Sequence, residues 1–152
     1  MQNQNSFIYT TYILTTKEKL WEALTNAEHT KQYFFGCAVH ADWQEGASIT
    51  YYRSDGELDV EGVIKTCDPF EKLSYTWHHV EDMEREVPLV VTFKMKEVND
   101  TVKLTLTHEN LLSTDISEQE DTFYGLNNGW PAILSNLKTY LEMGRTLSPM
   151  DM

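Results

Sequence analysis

The feature that most constrains this chain is an imbalance between what needs covering and what can cover it. Between residues 47 and 110, five segments alternate apolar and polar side chains. Only one later segment, residues 117 to 143, carries a long apolar stripe. The alternating segments are "ASITYYR", "LDVEGVIKTC", "LSYTWHH", "VPLVVTFKMKEV" and "VKLTLTHEN". Period-two alternation predicts antiparallel strands with one apolar and one polar face. Ile49, Tyr51, Val60, Gly62, Ile64, Leu73, Tyr75, Trp77, Leu89, Val91, Phe93, Met95, Val102, Leu104, Leu106 and His108 share the face that must be covered. The turns "SDG", "DPFEK" and "NDT" separate the segments. A sheet with one apolar face is stable only when another layer lies on it.

The covering element is "YGLNNGWPAILSNLKTYLEMG", residues 124 to 144. Leu126, Trp130, Ile133, Leu134, Leu137, Tyr140 and Leu141 fall on one helical face. Gly129 and Pro131 interrupt it, and proline in a helix interior costs ~3 kcal/mol. The stripe extends back through Phe123 to Ile116 without losing phase. That predicts one helix from about Ser117 to Met143, kinked near Pro131 and stopped by Gly144. A helix with Pro131 at its first position is the alternative.

The amino-terminal part reads as a strand, "SFIYTTYIL", and two short helices. Thr15 or Thr16 caps the first, with Leu20, Trp21 and Leu24 as its apolar face. The second runs from Asn26 or Ala27 to Tyr33, before Gly36. There is no internal repeat, linker or low-complexity run, so residues 1–152 are read as a single domain. Eight tyrosines, six phenylalanines and four tryptophans are many rings for such a chain, and packing them around a cavity is one way to use them.

A net charge of −12 works against phosphate binding, so neither nucleic acid nor an anionic membrane is an expected partner. No stretch approaches the ~20 apolar residues of a membrane span. The start, "MQNQNSFIYTTYIL", lacks the basic region of a signal peptide. Cys37 and Cys67 form neither a C-x-x-C pair nor a disulfide framework. A cytoplasmic location with reduced thiols is expected.

Four stretches occur in an order that points to a family: "KLWEALTNAEHTKQYF" at 19–34, "EGVIKTCDPFEKLSYTW" at 61–77, "LTLTHENL" at 104–111 and "GWPAILSNLKTYLE" at 129–142. Together they resemble the homologues of the activator of the heat-shock-chaperone ATPase, within the START-like, birch-pollen-allergen-like superfamily. The resemblance implies an α+β helix-grip fold: a curved seven-stranded antiparallel sheet around a long C-terminal helix, with two short helices after the first strand. It implies less about activity, because this superfamily includes lipid carriers, hormone receptors, cyclases and chaperone partners.

The residues offer little catalytic chemistry. His78 and His79 are strand neighbours and point to opposite faces, so they cannot jointly hold a metal. His29, His40 and His108 complete the histidines, with no metal-binding spacing. No serine lies in a nucleophile elbow, and "GLNNG" at 125–129 is not a phosphate loop. "ERE" at 84–86 reads as a solvated hairpin end. What remains is a candidate cavity lining of Tyr51, Gly62, Tyr75, Trp77, Phe93, His108, Trp130 and Leu134 between helix and sheet. Gly62 there either leaves room for a ligand or lets the strand bend.

The expected function is binding of a small, largely apolar molecule (lipid-like, polyketide-like or aromatic) without a cofactor. A cyclase- or hydratase-type enzyme using His108 or a buried carboxylate is one alternative. A module that contacts a chaperone through its acidic surface is the other, and a homodimer stays open.

Overall fold

The computed structural model describes residues 5–147. Its elements in chain order are β1 (Asn5–Ile13), α1 (Lys17–Thr25), α2 (Ala27–Tyr33), β2 (Ala38–Ala41), β3 (Ser48–Tyr52), β4 (Leu58–Asp68), β5 (Lys72–His79), β6 (Leu89–Val98), β7 (Thr101–Leu111), a 3-10 turn (Ser113–Asp115) and α3 (Leu126–Met143). The strands form one antiparallel sheet in the order β1-β7-β6-β5-β4-β3-β2. Every connection within it joins neighbours except that from β1 to β2, which must pass from one edge to the other. The two short helices fill that passage. Thr16 caps α1 by accepting from the Lys19 amide at 3.2 Å, and Asn26 caps α2 by accepting from the Glu28 amide at 2.8 Å. The arrangement is the helix-grip architecture.

Alternation sets the register. One inner row runs Leu73–Phe93–Leu106–Tyr9 across β5, β6, β7 and β1; one residue along, the outer row runs Lys72–Lys94–Thr105–Thr10. α3 supplies the cover with Trp130, Ile133, Leu134 and Leu137, all buried. Irregularities between Ile64 and Thr66, Tyr51 and Tyr52, and Asn5 and Phe7 interrupt the ladders; such bulges bend a strand and increase its twist.

The carboxy-terminal helix is shorter than the spacing predicts. It begins at Leu126, so Ser117–Gly125 is not helical; Pro131 lies inside the helix and not at its first position, and Gly144 stops it as expected. The physical reason lies in Gly125, Asn127 and Asn128. Gly125 has φ 91°, outside the helical region. Asn127 grips the preceding loop, its Oδ1 accepting from the Ser117 amide at 2.9 Å and its Nδ2 donating to the Ser117 carbonyl at 2.9 Å. Asn128 Nδ2 donates to the carbonyls of Gln119 at 3.0 Å and Tyr124 at 2.9 Å. Asparagine side chains compete with helical hydrogen bonding in this way. The unbroken apolar phase back to Ile116 did not mark helix; Phe123 reaches the body of the protein from the loop, packing on Phe35 at 5.7 Å between centroids.

Trp21 lies outside the inner cluster. It is half-buried and meets Phe70, on the β4–β5 turn, edge-on at 6.2 Å. Among the described residues, no helix is long and apolar enough to cross a membrane.

Candidate functional site

The structure brings six of the eight candidate residues into one aromatic cluster between α3 and the inner face of the sheet. Trp130 is its centre, with ring centroids 5.3 Å from Trp77, 5.9 Å from Phe93 and 5.8 Å from His108. Trp77 also meets Tyr51 at 5.7 Å, Tyr75 at 6.3 Å and His108 at 5.7 Å. Leu134 is buried one helical turn beyond Trp130.

Gly62 stands apart. A side chain there would collide with the Thr76 carbonyl of the next strand. The glycine therefore permits a close approach of β4 and β5. At that point the Val63 amide turns to Thr76 Oγ1 at 2.9 Å.

Phe34 belongs to the cluster although its sequence context does not reveal it. It follows α2, and its ring lies 4.9 Å from Tyr51, 6.2 Å from Trp77 and 5.6 Å from Trp130. The available signal was the Phe34-Phe35-Gly36 run: Phe35 and Gly36 both have positive φ, which turns the chain sharply after Phe34.

Two polar devices sit among the rings. The first is the phenol pair, Tyr51 and Tyr75, with hydroxyl oxygens 2.5 Å apart and both side chains buried. One donates and the other accepts. Burial pushes both pKa values upward, so both stay protonated. The second is His108, fully buried, whose Nδ1 accepts from Trp130 Nε1 at 2.8 Å. Burial lowers its pKa to about 3. A general base should titrate near the working pH, so His108 is unsuited to take a proton in neutral solution.

Beside His108 lies an ion cluster in which the 84–86 segment departs from the expected solvated end. Glu84 and Glu86 are exposed, but the Arg85 side chain is only 9% exposed. Arg85 Nη1 and Nη2 donate to the two Asp115 oxygens at 2.9 and 2.7 Å, and Nε donates to Asp82 at 2.6 Å. Asp115 also accepts from the Leu112 amide at 2.8 Å. Arg85 holds both carboxyls below the usual carboxylate range. A bidentate pair of this kind fixes geometry strongly, here tying the β5–β6 loop to the turn after β7. Sequence spacing could not reveal a pair thirty positions apart.

The other candidate groups go separate ways. His79 Nε2 lies 3.0 Å from Asp59, and His78 Nε2 is 3.6 Å from Glu84. No group of three or more metal-ligating side chains occurs among the described residues. Burial, with Asp59 close by, pushes the Cys37 thiol up to about 12. Cys67 donates to the Trp43 carbonyl at 3.2 Å. An open trough of about 930 Å³ lies between the α1–α2 junction and the β2–β3 segment; its lining includes His40, Trp43 and Glu45, and none of the ring cluster.

Comparison with known proteins places the fold. The solution structure of a protein from Cytophaga hutchinsonii is similar at 28% identity and a TM-score of 0.72, over 93% of this chain and 96% of that one. An Hsp90 activator from Plasmodium falciparum matches at 23% identity and a TM-score of 0.70, over 90% and 95%. The Aha1 dimer from Colwellia psychrerythraea matches at 21% identity and a TM-score of 0.70, over 92% and 98%. No curated protein sequence matches significantly. The family model described as "Activator of Hsp90 ATPase homolog 1-like protein" matches residues 14–142, and the chain belongs to that family.

Proposed function

We propose that this protein binds a small, largely apolar molecule between α3 and the inner face of the sheet, without converting it. The observation that carries the reading is Trp77. It follows Leu73 and Tyr75 on the inner face and touches Phe34, Tyr51, Tyr75, His108 and Trp130, all buried, yet is itself only half-buried. An inward-facing ring that still meets water marks a mouth. The low pKa of His108 counts against the cyclase or hydratase alternative.

The test uses N-phenyl-1-naphthylamine, a neutral apolar dye whose emission rises out of water. Titration should give a saturable rise, and the indole N–H signals of Trp77 and Trp130 should shift while those of Trp21 and Trp43 stay still. Because Trp43 lines the open trough, a shift at Trp43 alone would place binding there and sink the reading. So would an absence of saturation.

A second reading, contact with an Hsp90-type chaperone, is favoured by the family and by one surface. The outer face carries Lys72 opposite Lys94 and Lys96 opposite Lys103. Like charges directly opposite one another destabilise a sheet. Among the described residues none of the four lysines is in an ion pair, although the chain carries a net charge of −12. This basic face, instead of the acidic remainder, would meet an acidic surface of the partner. In a binding titration with Hsp90, the double variant Lys94→Glu/Lys96→Glu should weaken affinity by about tenfold or more, equivalent to about 1.4 kcal/mol. Unchanged affinity would remove this face from consideration.

A further inference from the structure

His108 constrains what kind of molecule the cluster can accept. An indole nitrogen only donates, so the 2.8 Å contact from Trp130 Nε1 requires His108 Nδ1 to be an acceptor without a proton. The imidazole is then neutral and its one N–H sits on Nε2. That atom is buried and has no hydrogen-bond partner among the described residues. A buried donor without an acceptor is uncommon and costly in folded proteins. The charged groups beside the ring do not relieve it. The Asp115 carboxylate is engaged by Arg85 and by the Leu112 amide, and Arg85 is held by Asp82 and Asp115.

We infer that the cluster selects ligands with a neutral hydrogen-bond acceptor, a carbonyl oxygen, placed against His108 Nε2 while the remainder of the molecule stacks on Trp77 and Trp130. This inference rests on the binding reading above and specifies its ligand class. The acceptor is neutral because Arg85, the cation beside the ring, is already matched by two carboxylates. A carboxylate ligand would lose its hydration without gaining a free counter-charge. The phenol pair is a poorer anchor, since each hydroxyl already has the other as partner at 2.5 Å.

The experiment compares three probes of one size on the unmodified protein: 2-acetylnaphthalene, 2-isopropenylnaphthalene, in which a methylene group replaces the carbonyl oxygen, and 2-naphthoate. Affinity is measured by titration, and the imidazole Nε2–H of His108 is followed by nitrogen-resolved NMR. The ketone should bind about tenfold more tightly than the alkene. It should also move the Nε2–H proton downfield, while the naphthoate should bind more weakly than either. Equal affinities with an unmoved His108 signal would overturn this inference and leave the binding reading standing. Ketone selectivity with an unmoved His108 signal would overturn it in favour of another donor. Naphthoate binding as tight as that of the ketone would overturn the neutral-acceptor assignment. If none of the probes binds and Trp77 and Trp130 stay unmoved, the binding reading fails and takes this inference with it. His108→Phe, which removes the donor, should bring the ketone-to-alkene ratio to about one.

Discussion

The two faces of the sheet are built from the same strands, one residue apart, and they solve opposite problems. The inner row Leu73–Phe93–Leu106–Tyr9 meets α3 and packs; the adjacent outer row Lys72–Lys94–Thr105–Thr10 meets water. On the inner face every polar atom has a cost unless it is paired, so Trp130 and His108 are locked to each other. On the outer face solvent screens the charges, and four lysines sit together without ion pairs among the described residues. Under the two readings proposed above, binding on the inner face would depend on individual atoms and contact through the outer face on summed charge.

The largest effect expected from this contrast is at Trp130, which is 1% exposed. Trp130→Ala should cost about 3–5 kcal/mol by opening a cavity at the centre of the cluster. Chemical denaturation would read this directly, and a loss under 1 kcal/mol would mean that the cluster is not tightly packed.

The next effect is on pH dependence. The pKa of His108 falls from 6.5 to about 3 on folding, chiefly through burial. Between those values the unfolded chain binds the additional proton. Stability is therefore intact above pH 6.5 and falls as the pH drops toward 3, by up to about 1.4 kcal/mol per pH unit. His108→Gln keeps an acceptor for Trp130 but cannot titrate, so its stability should vary less between about pH 6 and pH 4.5. Parallel profiles for the two proteins would show that His108 is not desolvated as described.

Trp21→Ala should have a smaller effect, about 1–2 kcal/mol, because the side chain is half-buried against Phe70. Its melting temperature should drop while dye affinity per folded molecule stays constant. A loss of affinity would connect α1 to the inner cluster. The smallest effect belongs to the outer face. Lys94→Glu replaces a like-charge neighbour of Lys72 with an opposite one and should stabilise by about 0.2–1 kcal/mol. Destabilisation beyond that range would show that the lysine stem packs on the sheet.

Most of the fold was legible because alternation is a local signal. Val102, Leu104, Leu106 and His108 announce an inward face without reference to the rest of the chain, and all four are buried. The carboxy-terminal helix was legible from Leu126 onward, and the stretch Ser117–Gly125 before it was misread as part of it. A period of three and four residues also arises when a loop supplies Phe123 to the same core, and Gly125 decides between the two by its φ of 91°. In the site, Tyr51, Tyr75, Trp77 and Phe93 followed from strand parity. Phe34 and the Arg85–Asp115 pair did not, since they depend on how separate loops meet.

The sequence by itself determined the layers: which residues face inward, that one helix covers the sheet, and that the rings lie between them. Those follow from periodicity, a property of neighbouring residues. Only the tertiary structure decided that Trp130 Nε1 points at His108 Nδ1 and leaves Nε2 without a partner. It also decided that Arg85 is buried by a carboxylate thirty positions away. Hydrogen bonds depend on distances of tenths of an ångström and on direction. Such distances are set by the packing of all the elements at once and by no stretch of sequence alone.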